Sequence, residues 1–314
     1  MTANPLVTIV IPCFNAAHTV ATALASARAQ TYRPIEIVAI DDCSGDDTLK
    51  ILEADRGSDL VVIAGERNRG AAAARNRAIM AASGEYLAFL DADDSWAPEK
   101  LARQIALLDA DPAMAMVGCR ADVVRLDGQR EPVNADRVPP QGPEAWRDLL
   151  HHAYYVTSEI VTRTEIARLI GGFADGMSTG EDQDFFIRLA LEGGVGFVDA
   201  SMVTMHQQPG SLSIRQRARE AAIVLPMIEG HCRDLSGRLA PGERRRIIGA
   251  RYTTLGRGLY PAEPGAGARL LVRAILNGTE PLANLRYLLV ASPWARRLKA
   301  RLAHAAGADT LART

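Results

Sequence analysis

Between Leu6 and Ala110 the chain alternates four times between an apolar run and a segment of helical periodicity. The runs are LVTIVIP at 6–12, IEIVAIDD at 35–42, LVVIA at 60–64 and YLAFLD at 86–91. They are β-branched and nearly continuously apolar, as strands covered on both faces must be. Helices are expected through Val20, Leu24 and Ala27, through DDTLKILEA with Ser44 or Asp46 as cap, through the alanine-rich 71–82, and after Pro98 at a favoured first-turn position. Gly84 stands where a helix stop is expected. Repeated strand and helix implies parallel strands joined by crossover helices, an α/β class. In such sheets ligands bind beyond the carboxyl ends of the strands. The residues to read there are Asn15, Asp41, Asp42, Asn68 and Asp91 to Asp94.

The alternation fades after about Leu126 into DGQREPVNADRVPPQGPE, a proline- and charge-rich loop. SEIVTR and MVTMH read as further short strands, with a loop and a helix in GGFADGMSTGEDQDFFIRLALEGG between them. From about Arg215 the patterns are helical, punctuated by Pro241, Pro261, Pro281 and Pro293. The expected organisation is a domain at 1–214, with parts at about 1–126 and 127–214, and a helical region at 215–314.

A formal net charge of −1 gives no global field toward nucleic acid, so no nucleic-acid partner is expected. Cys13, Cys43, Cys119 and Cys232 form no CxxC pair, which suits neither a zinc site nor a disulfide framework and fits a reducing compartment. MTANPLVTIVIPCFN lacks a basic segment before its apolar run and reads as a strand, not a signal peptide. No apolar stretch reaches the roughly 20 residues that span a bilayer. The expected location is the cytoplasm, with the inner face of the plasma membrane left open by the C-terminal helices.

Asp91, Asp93 and Asp94 put three carboxylates behind an apolar strand. Such a cluster needs a partner or must hold protons. Mg²⁺ or Mn²⁺ is the simplest partner, because it takes oxygen ligands and lets phosphate oxygens complete its shell. A capped turn before the next helix would explain one Asp but not three. Asp42 also closes a strand; locally, it, Asp41 and Ser44 can bond following amides, or it can accept from a base or ribose. IPCFNAAHT contains no glycine, which excludes the GxGxxG dinucleotide turn. Arg67, Arg69, Arg75 and Arg77 gather near the same sheet end, where arginine can grip phosphate. Glu181, Asp182 and Asp184 open a helix that Ser178 or Thr179 would cap; they suit the helix dipole, or one of them faces the cleft as a general base. His206 is a structural residue, a metal ligand or a phosphate contact.

In order, VTIVIPCFNAAHTVATALASARAQTY, EIVAIDDCSGDDT, NRGAAAARNRAI, YLAFLDADDSWAPEKL and GEDQDFFIRL resemble the segments of family 2 glycosyltransferases, from about Val7 to Arg215. The resemblance implies a GT-A fold, a Rossmann-like, mostly parallel sheet flanked by helices with a C-terminal helical extension. It implies an inverting transfer from a nucleotide-sugar, UDP-linked first with GDP and dTDP open, to a saccharide, lipid-linked or protein acceptor. Asp182 would be the base. Pro12, Phe14, Asn15, Asp42, Arg75, Asp91, Ala92 and Asp93 would hold the donor, with Asp42 at the base and Arg75 at the diphosphate. Asp93, Asp94 and His206 would hold Mn²⁺ or Mg²⁺, which the resemblance gives as cofactor. Cys43 departs from the family pattern, where glycine is commoner. AFLDADDS also resembles the DxD signature of haloacid-dehalogenase phosphatases, with Asp91 as nucleophile, although that motif normally closes a first strand. A module that binds nucleotide-sugar without turnover is a third reading. A nucleotidyltransferase would show a glycine-rich phosphate loop, and none is visible. The final stretch, PLANLRYLLVASPWARRLKARLAHAA, would give a helix with one basic and one apolar face. Packing on the chain itself, contact with an anionic membrane surface and a homodimer contact are the readings open for it.

Overall fold

The computed structural model describes residues 4–135, 137–207 and 214–291, with side chains described from 220 onward in the last segment. The chain divides into two compact units, Met1–Ser211 and Leu212–Thr314.

In the first unit, β1 (Val7–Cys13), α1 (Val20–Arg28), β2 (Ile35–Asp41), α2 (Thr48–Ala54), β3 (Leu60–Ala64), α3 (Ala71–Ala81) and β4 (Tyr86–Phe89) alternate. Then follow β5 (Asp94–Trp96), α4 (Lys100–Ala110), β6 (Met114–Val124), β7 (Arg130–Pro132) and α5 (Trp146–His151). A single 3₁₀ turn, Thr157–Glu159, precedes β8 (Val161–Arg163), α6 (Thr164–Leu169), α7 (Glu181–Glu192) and β9 (Gly194–His206). The strands form one sheet in the order β3-β2-β1-β4-β8-β6-β9-β5, with β7 on the outer part of β6. β3, β2, β1 and β4 are mutually parallel; β8 then enters antiparallel to both β4 and β6.

The parallel part folds as its sequence demands. Val7, Ile9, Val10, Ile11, Ile37, Val38 and Ile40 are all at most 1% exposed, so both faces of β1 and β2 are covered. Each such side chain contributes roughly 1.5–3 kcal/mol by leaving water. Parallel strands all end on one edge, which brings Asn15, Asp42 and Asp91 together.

Some local expectations are corrected. Gly84 is not a helix stop: α3 ends at Ala81 with Ala82 already extended. A Cβ at Gly84 would lie 2.6 Å from the Thr8 amide nitrogen, so the position needs glycine because β1 passes against it. α2 is entered through Asp47 without a side-chain cap, while Asp46 Oδ1 accepts from the Thr48 amide at 3.0 Å. α4 begins at Lys100, just beyond Pro98. The N-cap of α7 is Gly180 at φ 75°, in place of Ser178 or Thr179. Cys43 has φ 63°, the left-handed region that glycine enters without strain, which explains why glycine suits this position.

The second unit holds α8 (Ile214–Asp234), α9 (Pro241–Leu259), α10 (Pro264–Leu276) and α11 (Pro281–Val290). Ala221, Leu225, Tyr252, Leu259 and Ala274 form its core. Among the described residues no helix is long and apolar enough to cross a membrane. Gln208 to Ser213 of the HQQPGSLS segment, and Arg296, Arg297, Lys299 and Arg301, lie outside the described residues.

Candidate active site

The loops at the carboxyl edge of the sheet are tied to one another. Asn15, at φ 51°, donates its amide to Ser44 Oγ at 2.9 Å and accepts from the Gly45 amide at 2.8 Å. Asp42 reaches past its own turn to the loop before α3, accepting from the Arg69 amide at 2.9 Å and the Gly70 amide at 2.7 Å. Asp41 makes the local bond, accepting from the Ser44 amide at 3.1 Å. The nearby amides thus occupy part of the Asp42 carboxylate, while its side chain still lines the cavity that these loops enclose.

That cavity has a volume of about 590 Å³. Pro12, Phe14, Asn15, Asp42, Arg75, Asp91, Ala92 and Asp93, singled out in the sequence as donor-binding, all lie on its wall. Phe14 is 50% exposed, an aromatic face left in water at the cavity wall. His18, Thr19 and Asn68 line it too. Asn68 is among the strand-end residues read from the sequence; His18 and Thr19 are not, because they sit in a turn whose residue types carry no pattern.

At the end of β4 the three carboxylates are handled by three different means. Asp91 is ion-paired with Arg75 Nη2 at 2.6 Å. Asp94 is 5% exposed and accepts from Ser158 Oγ at 2.5 Å. Burial, and then the charge of Asp91, push the Asp94 carboxyl well above the usual carboxylate range. Asp93 faces the cavity; burial and then Asp91 raise its carboxyl as well. Ser158, which the sequence did not reveal, organises this turn. Its Oγ also accepts from the Asp91 amide at 3.0 Å, and its carbonyl accepts from Trp96 Nε1 at 3.0 Å. Asp94, expected from the sequence as a metal ligand, is not on the cavity wall; its carboxylate is bonded to Ser158 in the turn.

Arg75 is 4% exposed and spans two elements, since its Nη1 also reaches Glu181 Oε1 at 3.5 Å. Phe173 lies beneath it, 5.3 Å from ring centroid to guanidinium, and stacks on Phe185 at 4.0 Å. The acids of α7 are thereby sorted. Glu181 pairs with Arg75, and Asp184 pairs with Arg188 at 2.7 Å. Asp182 accepts from the Gln183 amide at 2.7 Å and has no ion pair among the described residues. Burial, followed by the Glu181 charge, pushes its carboxyl up to about 6, with Arg75 pulling the other way. A half-buried carboxylate with that affinity for protons suits general-base work near neutral pH. Asp182 is not on the wall of the 590 Å³ cavity; it is bound to that wall through Glu181 and Arg75.

His206 reaches the site by strand pairing. β5 runs antiparallel to β9 with Asp94 opposite Met205, and Asp93 and His206 are the residues that flank that pair in sequence. The two side chains are near enough for a His206 charge to oppose the rise of the Asp93 carboxyl. Among the described residues no three His, Cys, Asp or Glu side chains form a ready-made metal cage. The donor set nonetheless fits a hard divalent ion that shares its shell with phosphate. Asp93 is a desolvated carboxyl on the cavity wall next to a second carboxylate, so added positive charge is favoured there.

The curated relatives match along part of their length. Succinoglycan biosynthesis protein ExoO of Rhizobium meliloti is 42% identical over 125 residues, 40% of this chain and 36% of that protein. UDP-Glc:alpha-D-GlcNAc-diphosphoundecaprenol beta-1,3-glucosyltransferase WfaP of Escherichia coli is 41% identical over 106 residues, 34% of this chain and 42% of that protein. The chain thus spans about two fifths of the length of these relatives. Among solved structures, S. aureus TarS 1-349 in complex with UDP-GlcNAc superposes with a TM-score of 0.65 at 20% identity, over 91% of this chain and 87% of that one. Mannosyltransferase PcManGT from Pyrobaculum calidifontis, in complex with GDP-Man and Mn²⁺, gives 0.58 at 23% identity over 95% and 84%. The fold is the GT-A arrangement expected from the sequence. With the family model described as glycosyl transferase family 2 matching residues 8–167, half of its length, the chain belongs to that family.

Proposed function

We propose that the protein is an inverting, divalent-metal-dependent glycosyltransferase that moves a sugar from a nucleotide-sugar, UDP-linked by preference, to an acceptor hydroxyl in polysaccharide or glycoconjugate synthesis. The observation that carries this reading is the convergence of eight separately spaced residues on one cavity, with Asp182 coupled to it through Arg75. The relatives named for succinoglycan biosynthesis and for glucosyl transfer to a diphosphoundecaprenol-linked sugar support a lipid-linked saccharide as acceptor class.

In this reading Asp42, Asn15 and Phe14 receive the nucleoside end, with Phe14 offering a stacking face. Asp91 and Asp93, with His206, would hold Mn²⁺ or Mg²⁺, whose charge offsets that of the diphosphate. Arg75 stands where negative charge grows on the leaving diphosphate. Asp182 takes the proton from the acceptor hydroxyl as its oxygen attacks the anomeric carbon from the opposite face, through an oxocarbenium-like state. Asp94 and Ser158 keep the carboxylate turn in place. The phosphatase alternative asks Asp91 to act as a nucleophile, yet Arg75 holds that carboxylate at 2.6 Å and the motif closes the fourth strand. The reaction is placed in the cytoplasm, with the inner face of the membrane supplying a lipid-linked acceptor.

The test is a thermal-shift panel of nucleoside diphosphates and nucleotide-sugars with and without Mn²⁺, alongside sugar transfer by Asp182→Asn. Ligands that bind the native state raise the melting point by mass action. Retained nucleotide binding with lost transfer is expected; full transfer by Asp182→Asn rejects the base assignment.

A further inference from the structure

α11 is built inside out. Its one fully buried side chain is a polar one, Asn284, which donates to Thr253 Oγ1 at 2.9 Å and to the Thr279 carbonyl at 3.0 Å, and accepts from Arg257 Nη2 at 2.9 Å. Its outer face holds Leu282, 81% exposed, Leu285 at 49% and Val290 at 66%. α10 adds Leu276 at 80% and Val272 at 46%. Its own buried stripe is Gly267, Leu271 and Ala274, on the opposite side of the helix. Five large apolar side chains on two touching helices exceed the single scattered exposures that need no explanation.

The charges interleaved with these side chains identify the occupant. Arg269 and Arg286 are exposed on α10 and α11 at helical spacing from the exposed leucines and valines, while Arg273 is turned over the Tyr252 ring at 5.8 Å. The only acid between Pro264 and Val290 is Glu280, and it is taken by Arg257 at 2.8 Å. The sequence then runs to Asp309 without another acid, through Arg296, Arg297, Lys299 and Arg301. The core of a protein–protein interface is enriched in Tyr, Trp, Phe and Met as well as Arg, whereas the exposed large apolar side chains here are aliphatic only. Aliphatic residues mixed with arginine, with acids absent, match instead an anionic bilayer surface, where aliphatic side chains enter the acyl boundary and arginines meet phosphate headgroups.

We propose that the outer face of α10 and α11 docks the protein on a phospholipid bilayer bearing anionic headgroups. This inference does not rest on the sugar-transfer reading. It is tested by flotation of the full chain with phosphatidylcholine vesicles, with and without phosphatidylglycerol. The native chain is expected to float with the anionic vesicles and to bind phosphatidylcholine alone at least about tenfold more weakly. Leu276→Ser/Leu282→Ser/Leu285→Ser should lose about tenfold or more in vesicle affinity with its melting temperature unchanged. Arg269→Gln/Arg286→Gln, which leaves every apolar contact in place, should lose the preference for anionic lipid. The proposal is overturned by a native chain that stays with the pellet, by a serine variant that floats as well as the native chain, or by light scattering that finds a native dimer turned to monomer by the serine substitutions. UDP-induced thermal shift of the serine variant reports on the donor cavity separately, so failure there and failure here are distinguishable.

Discussion

The parallel half of the sheet and helix α11 use apolar residues in opposite ways. In β1, β2 and β4, apolar side chains are buried on both faces and polar groups stand at strand ends, where Asp42 and Asp91 are held by amides and by Arg75. In α11 the polar Asn284 is the buried residue and the leucines are outside. Hydrophobic pattern serves folding in the first region. In the second, the described residues leave the leucines facing solvent, and a single helix-period pattern in the sequence does not tell the two uses apart.

Substitutions can separate these uses by size of effect. The largest belongs to chemistry: Asp182→Asn should lower turnover about 10³-fold, as loss of a general base does, while a nucleotide still raises the melting point. In the native enzyme, turnover should rise with pH through a limb near 6 and then level, because only the ionised Asp182 accepts a proton. A limb shifted to a different apparent pKa in Asp182→Glu would still fit; one unmoved in Asp182→Asn would not. Next is Arg75→Met, which strands Asp91 and Glu181 and should cost about 3 kcal/mol in urea unfolding. Gly84→Ala should follow at about 1–3 kcal/mol, because the methyl meets the β1 backbone. Asn284→Ala leaves Thr253 and the Thr279 carbonyl without a donor and should cost about 1–2 kcal/mol. Smallest is Leu282→Ser, expected within about 0.5 kcal/mol of the native chain. A Leu282→Ser loss larger than that of Asn284→Ala would abolish the contrast between the two regions.

What could be read from the sequence follows the same physics. β1, β2 and β4 were legible because strands covered on both faces leave no polar position to confuse the pattern; β3 lies at Leu60–Ala64 as read, and stays apolar although Val61 is 47% exposed. β6 was not singled out: its apolar start passes through Arg120 and Asp122, where one face meets solvent. β9 was visible only at its end, because Gly194 and Gly196 mask its start. β5, three residues long, exists only because β9 returns beside it. Of the residues that line the cavity, Phe14, Asn15, Asp42 and Asp91 to Asp93 were legible because they follow strands that could be found. Ser158 was not, because its partners Asp91 and Asp94 are 67 and 64 residues away. The choice among Glu181, Asp182 and Asp184 likewise depended on Arg75 and Arg188, whose reach no spacing rule records.

The positive φ of Cys43 has a practical side. This thiol sits on the exposed turn after β2, next to Asp42, while Cys13, Cys119 and Cys232 are buried. Burial pushes the Cys119 thiol up to about 12 and that of Cys232 to about 11, and raises Cys13 still further, which leaves all three poor nucleophiles. A maleimide fluorophore should thus mark one place on the native molecule, and its emission would report nucleotide arrival at the neighbouring loop without any engineered label site.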